Sequence, residues 1–208
     1  MSKTTISAIL AVVVLTLLIY INENKNDLSE NTLKSNPLIL AFGDSLTYGF
    51  GASPAFSYPA LLGKKSGLHV INAGINGEES SEGLERLPEL LKQKPDLVIL
   101  CHGGNDILRQ RSQVELKNNL LSMIKLIKES GAIVLFVGVP DFNLVGFKTL
   151  PLYSDIAKES GVIYEDEILT YIETRQTLKS DYVHPNEKGY EMMADTFMKI
   201  IHNHTIRE

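Results

Sequence analysis

Three residues far apart in the chain carry complementary chemistry. Ser45 stands in Gly43-Asp44-Ser45-Leu46, just after the apolar run Ile39-Leu40-Ala41-Phe42, while Asp181 and His184 stand three residues apart in Asp181-Tyr182-Val183-His184-Pro185. A serine hydroxyl is a weak nucleophile until a base takes its proton, and that base needs a third group to fix its orientation. Serine, histidine and aspartate fill those three roles. Taken singly, Ser45 reads as a helix cap after a turn and Asp181 as a solvated turn acid. Of the five histidines, His69, His202 and His204 lack an acid-bearing turn, and His102, beside Gly103, reads as a loop or core residue.

Attack on an acyl carbon builds negative charge on oxygen, which needs preorganised donors. Two further loops hold suitable groups. Gly77, in Asn72-Ala73-Gly74-Ile75-Asn76-Gly77-Glu78, lets backbone approach a substrate closely, with Gly74 as the alternative. Asn105, in Gly103-Gly104-Asn105-Asp106, offers amide donors without a titrating charge. Asp44 and Asp106 read as acids that organise these loops. A metal site built from Asp44, His102, Asp106 and His184 finds no supporting ligand spacing. The chemistry calls for neither metal nor organic cofactor.

Positioning these groups requires elements that end at a common edge. From residue 38 onward, short apolar runs alternate with helical patterns. Strands are expected at 38–42, 68–72, 97–101, 133–139 and 162–164, and helices at 58–65, 81–94, 114–130, 150–160 and 186–201. Pro88 predicts a kink or a late start in the second helix. In the last helix Tyr190, Met193, Phe197 and Ile200 are expected to face inward. Nearly continuous apolar strands separated by helices imply an α/β fold, a three-layer α/β/α sandwich around a five-stranded parallel sheet. Ligands in such folds sit at the carboxyl ends of the strands, where Ser45, Gly77 and Asn105 each follow a different strand.

The bulk numbers fit that reading. The chain has 208 residues, 44% hydrophobic and 22% charged, enough for one domain with a sizeable core. Residues 1–37 carry three lysines and three acids, so the net charge of -5 belongs to residues 38–208. An acidic domain without a basic stripe is ill suited to nucleic acid. The single cysteine, Cys101, excludes an intrachain disulfide and reads as a buried thiol.

The four blocks, Gly43-Asp44-Ser45-Leu46, the Gly77 segment, Gly103-Gly104-Asn105-Asp106 and Asp181-Tyr182-Val183-His184-Pro185, resemble those of the SGNH (GDSL) hydrolases. The likeness runs through residues 38–202 and is strongest to the bacterial lysophospholipase, acyl-thioesterase and arylesterase group. It implies a flavodoxin-like fold, a catalytic triad of Ser45, His184 and Asp181, and an oxyanion hole made by the backbone N–H groups of Ser45 and Gly77 with the Asn105 side chain. It also implies hydrolysis of small-molecule acyl oxy- or thioesters, with lysophospholipid or fatty-acyl substrates expected. The protein is expected to be a monomer. Two other readings stay open: a carbohydrate O-acetyl esterase of the envelope, and a non-catalytic tethered binding module. Phe142, Leu144, Val145, Phe147 and Leu150 form an apolar loop suited either to receiving an acyl chain or to packing beneath itself. Tyr48 and Phe50 crowd the turn after Ser45.

Ahead of the domain, residues 4–21 are uncharged and would span roughly 27 Å as a helix. Residues 22–37 have linker composition, with a reach of roughly 22 Å. Lys3 precedes the apolar stretch and acids follow it, and no small-residue cleavage site ends it. Residues 1–21 are therefore expected to be a membrane anchor or, alternatively, a cleaved signal segment, with domain 38–208 on the extracytoplasmic side, periplasmic or at the cell surface.

Overall fold

The computed structural model describes residues 16, 33–142 and 148–205. The apolar stretch 4–21, save Thr16, lies outside these, as do most of the linker and the loop residues Leu144, Val145 and Phe147. Among the described residues no helix is long and apolar enough to cross a membrane. Leu33, in the expected linker, is buried and donates its N–H to the His204 carbonyl at 2.8 Å.

Five parallel strands form the sheet: β1 (Ile39–Gly43), β2 (Val70–Gly74), β3 (Leu97–Cys101), β4 (Ile133–Val137) and β5 (Ile163–Glu165), in the order β2-β1-β3-β4-β5. The central strands β1 and β3 are buried throughout. Their unbroken apolar lettering reflects a sheet covered on both faces.

The longer helices are α2 (Tyr58–Ser66), α3 (Ser80–Leu91), α5 (Gln113–Glu129), α6 (Pro151–Ser160) and α8 (Glu187–His204), and the shorter ones α1 (Ser45–Tyr48), α4 (Gly104–Leu108) and α7 (Ile168–Glu173). This is the expected α/β fold. Strand order reverses between β1 and β3, and crevices for ligands open at such switch points. There Gly43 pairs in register with Cys101 and, on its other side, with Gly74. Both glycines are required by crowding: a Cβ on Gly43 would lie 1.9 Å from the Cys101 carbonyl oxygen, and one on Gly74 would lie 2.0 Å from the Tyr48 nitrogen.

Several boundaries differ from those expected. β2 lies two residues later, because an edge strand only half buried shows weak patterning and its pairing with β1 decides its ends. α3 runs through Pro88, and its start at Ser80 is fixed by a reciprocal capping box between Glu79 and Glu82. In α8 the fully packed residue is Ile201, while Ile200 is only partly buried. Eleven residues complete about three turns, so position 201 returns to the Tyr190 face.

Candidate active site

Asp44, Ser45 and Leu46 form the turn from β1 into α1. Asp44 is 2% exposed and accepts the Leu46 N–H at 3.1 Å, capping the short helix that begins with Ser45. Burial pushes its carboxyl above the usual carboxylate range, opposed by His102 and by the N–H groups of Leu46 and Gly104. The bond to Gly104 joins the turn after β1 to the loop after β3.

Asp181 and His184 sit on a turn before α8. His184 Nε2 lies 3.0 Å from Ser45 Oγ, across 139 residues of sequence. On the other ring edge, His184 Nδ1 lies 2.8 and 3.0 Å from the two Asp181 carboxylate oxygens. A carboxylate only accepts, so this contact places the ring hydrogen on Nδ1 and leaves Nε2 to accept from the serine hydroxyl. Asp181 also accepts the N–H groups of Val183 and His184 at 2.9 and 2.8 Å. Partial burial works to raise its carboxyl, but the His184 contact and these two N–H groups outweigh it and hold the group below the ordinary range. The Phe50 ring packs 4.5 Å from the imidazole, centroid to centroid.

The Asp–His turn is held from behind. The His184 carbonyl accepts the Ser180 N–H at 2.9 Å, and Asn186 donates to the carbonyls of Thr177 and Lys179 at 3.0 and 3.2 Å. Lys179 Nζ donates to the Tyr182 carbonyl and lies 2.7 Å from Glu173. Burial raises the Glu173 carboxyl to about 7 despite that partner.

Ser45, Asn105 and His184 line one cavity of about 60 Å³, together with Asp44, Leu46, Gly104, Leu108, Phe142 and Val183. Gly77 is not among its lining residues. It occupies the turn after β2 with φ +75°, a conformation suited to glycine. The Asn105 side-chain nitrogen donates to the carbonyl of Glu78, Gly77's neighbour, at 3.0 Å. Phe142, from the apolar loop, is buried and lines this cavity.

Asp106 organises the loops as its position suggested: its two oxygens accept the hydroxyl and N–H of Ser80 at 2.6 and 2.9 Å. His102 is fully buried, with Nε2 3.0 Å from Glu78. Glu78 and Arg86 went unread in the sequence, since a charged residue among other charged residues of a helix or loop carries no signal that it will be buried. Among the described residues no three His, Cys, Asp or Glu side chains gather closely enough to hold a metal ion.

Residues 41–192 match the model of the GDSL-like Lipase/Acylhydrolase family. The chain is similar to thioesterase 1/protease 1/lysophospholipase L1 of Escherichia coli (strain K12), at 33% identity over 172 residues, 77% of this chain and 81% of that one. It is similar also to an arylesterase of Vibrio mimicus, 33% identical over 168 residues, 76% of this chain and 84% of that one. A solved structure of the psychrotrophic esterase EstA from Pseudoalteromonas sp., inhibited by monoethylphosphonate, aligns with a TM-score of 0.69 at 25% identity, over 80% of this chain and 99% of that one.

Proposed function

The chain belongs to the GDSL-like lipase/acylhydrolase family and is an ester hydrolase, and from that premise we propose that it works through an acyl-enzyme on Ser45. Ser45 Oγ attacks the acyl carbon while His184 Nε2 takes the hydroxyl proton. The electrons of the carbonyl bond move onto its oxygen, and the N–H groups of Ser45 and Gly77 with the Asn105 amide hold the resulting oxyanion. Collapse of the tetrahedral species breaks the bond to the alcohol or thiol, which leaves with the proton from His184. Water, deprotonated by the same imidazole, then releases the acid and restores Ser45. Asp181 stays ionised throughout and stabilises the imidazolium.

The observation that carries this reading is the unbroken chain from Ser45 Oγ through His184 to Asp181, at 3.0 and 2.8 Å. Such a contact between residues 139 positions apart has no role in holding the sheet together.

We propose fatty-acyl oxy- or thioesters, lysophospholipids among them, as substrates. The apolar side chains of Leu46, Leu108, Phe142 and Val183 in the cavity support this, as does the similarity to an enzyme named thioesterase and lysophospholipase. Residues 4–21 would carry the domain to the extracytoplasmic side, near lipid. The test is a rate series on p-nitrophenyl esters from acetyl to palmitoyl, with lysophosphatidylcholine and an acyl-CoA alongside. An optimum at medium or long chains supports the reading. An optimum at acetyl with no turnover of either lipid substrate replaces it with an acetyl-ester function.

A further inference from the structure

Glu78, Arg86 and His102 form a charged cluster beside the site with no part in the reaction as proposed. Glu78 is 5% exposed and His102 fully buried. Arg86 grips the Glu78 carboxylate with Nε at 2.5 Å and Nη2 at 2.6 Å, the forked geometry that a guanidinium makes best. The same Nη2 donates to the Ala73 carbonyl on β2 at 2.8 Å and the Gly43 carbonyl on β1 at 3.2 Å. From the end of β3, His102 Nδ1 accepts the Gly103 N–H at 2.9 Å, so its ring hydrogen sits on Nε2 and points to Glu78. One carboxylate thus gathers the ends of all three strands that lead into the candidate site.

Its own backbone completes the arrangement. The Glu78 carbonyl accepts one N–H of the Asn105 amide, which fixes which end of that amide bears nitrogen. The second N–H on the same nitrogen is left for a ligand in the cavity that Asn105 lines. We infer that Glu78, clamped by Arg86 and His102, is a positioning residue that sets the Asn105 amide for the oxyanion; this rests on the function proposed above.

Charge is essential to such a hub. Every group facing the Glu78 carboxylate is a donor, and a carboxylate accepts at both oxygens. Glutamine has nearly the same shape but would turn an NH₂ toward Arg86 or His102, setting donor against donor.

The experiment uses the full chain and p-nitrophenyl butyrate. Glu78→Gln should lower kcat roughly 10- to 100-fold with KM changed less than about threefold, because only the transition state carries the oxyanion. Asn105→Ala should lower kcat by roughly 10²- to 10³-fold. The double variant should fall within about twofold of Asn105→Ala alone, since a residue acting through Asn105 has nothing left to position. Arg86→Lys, which keeps charge but loses the fork, decides in the same way if Glu78→Gln does not fold.

A kcat within about twofold of wild type, or losses that multiply with that of Asn105→Ala, overturns the inference, as does failure of both variants to fold. Ser45→Ala and Asn105→Ala separate the two levels of the argument. Near-wild-type turnover in either removes the proposed mechanism. Turnover reduced in both, with Glu78→Gln behaving as wild type, removes only the positioning role.

Discussion

Asp44 and Asp181 both lie within a few residues of the reacting groups, in opposite surroundings. Asp44 is 2% exposed, built into the edge of the sheet, and its carboxyl is pushed up by burial. The Asp181 side chain is 44% exposed, sits on a turn, and is held below the ordinary range. The contrast extends to the regions around them. The half that bears Ser45, Gly77 and Asn105 hangs from strand ends tied together by buried side chains. The half that bears His184 and Asp181 is one turn pinned largely by its own backbone. A nucleophile and oxyanion donors need fixed placement, which strand ends supply. An acid that must remain ionised beside an imidazolium needs water and N–H donors, which a surface turn supplies at little desolvation cost.

Substitutions can break this division of labour. The largest effect belongs to His184→Ala, expected to lower kcat by roughly 10⁴- to 10⁶-fold. Asp181→Asn should cost roughly 10⁴-fold by presenting the wrong hydrogen-bonding pattern to the imidazole, with little change in thermal midpoint. Asp44→Asn should reverse that pattern: a stability loss of about 1–2 kcal/mol from a weakened cap and loop tie, and a smaller loss of kcat than Asp181→Asn causes. Steady-state kinetics beside thermal melts would show it. Equal behaviour of the two variants would erase the distinction.

A subtler test concerns Glu173, a deeply buried support of the exposed turn. Folded Glu173 keeps its proton up to about pH 7, driven by burial, whereas the unfolded chain releases it near the ordinary glutamate value. The native state therefore binds the extra proton between those values, and stability from this group is present at low pH and lost as pH rises. The stability advantage of wild type over Glu173→Gln should shrink from pH 5 to pH 8, by on the order of 2–3 kcal/mol. Denaturant melts across that range would measure it, and a constant or widening gap would contradict it.

What could be read from sequence divides along the same line. The apolar runs of β1 and β3 announce a buried parallel sheet, and the residues after them announce the rim, because burial on both faces leaves strand letters few alternatives. α7 was missed: six residues are too few for a helical period, and no side chain caps its start. The Glu78–Arg86–His102 cluster and the Lys179–Glu173 pair were invisible for a different reason. Patterning places charge on the surface by default, and only three-dimensional packing shows which charges are paired inside.

The account turns on Ser45 being the nucleophile that His184 activates. The most direct measurement is labelling of the intact protein with a fluorophosphonate, followed by mass mapping of the modified peptide. A single adduct on Ser45, absent from Ser45→Ala and formed far more slowly in His184→Ala, is the predicted result. An adduct on another residue, or labelling undiminished in Ser45→Ala, would contradict it.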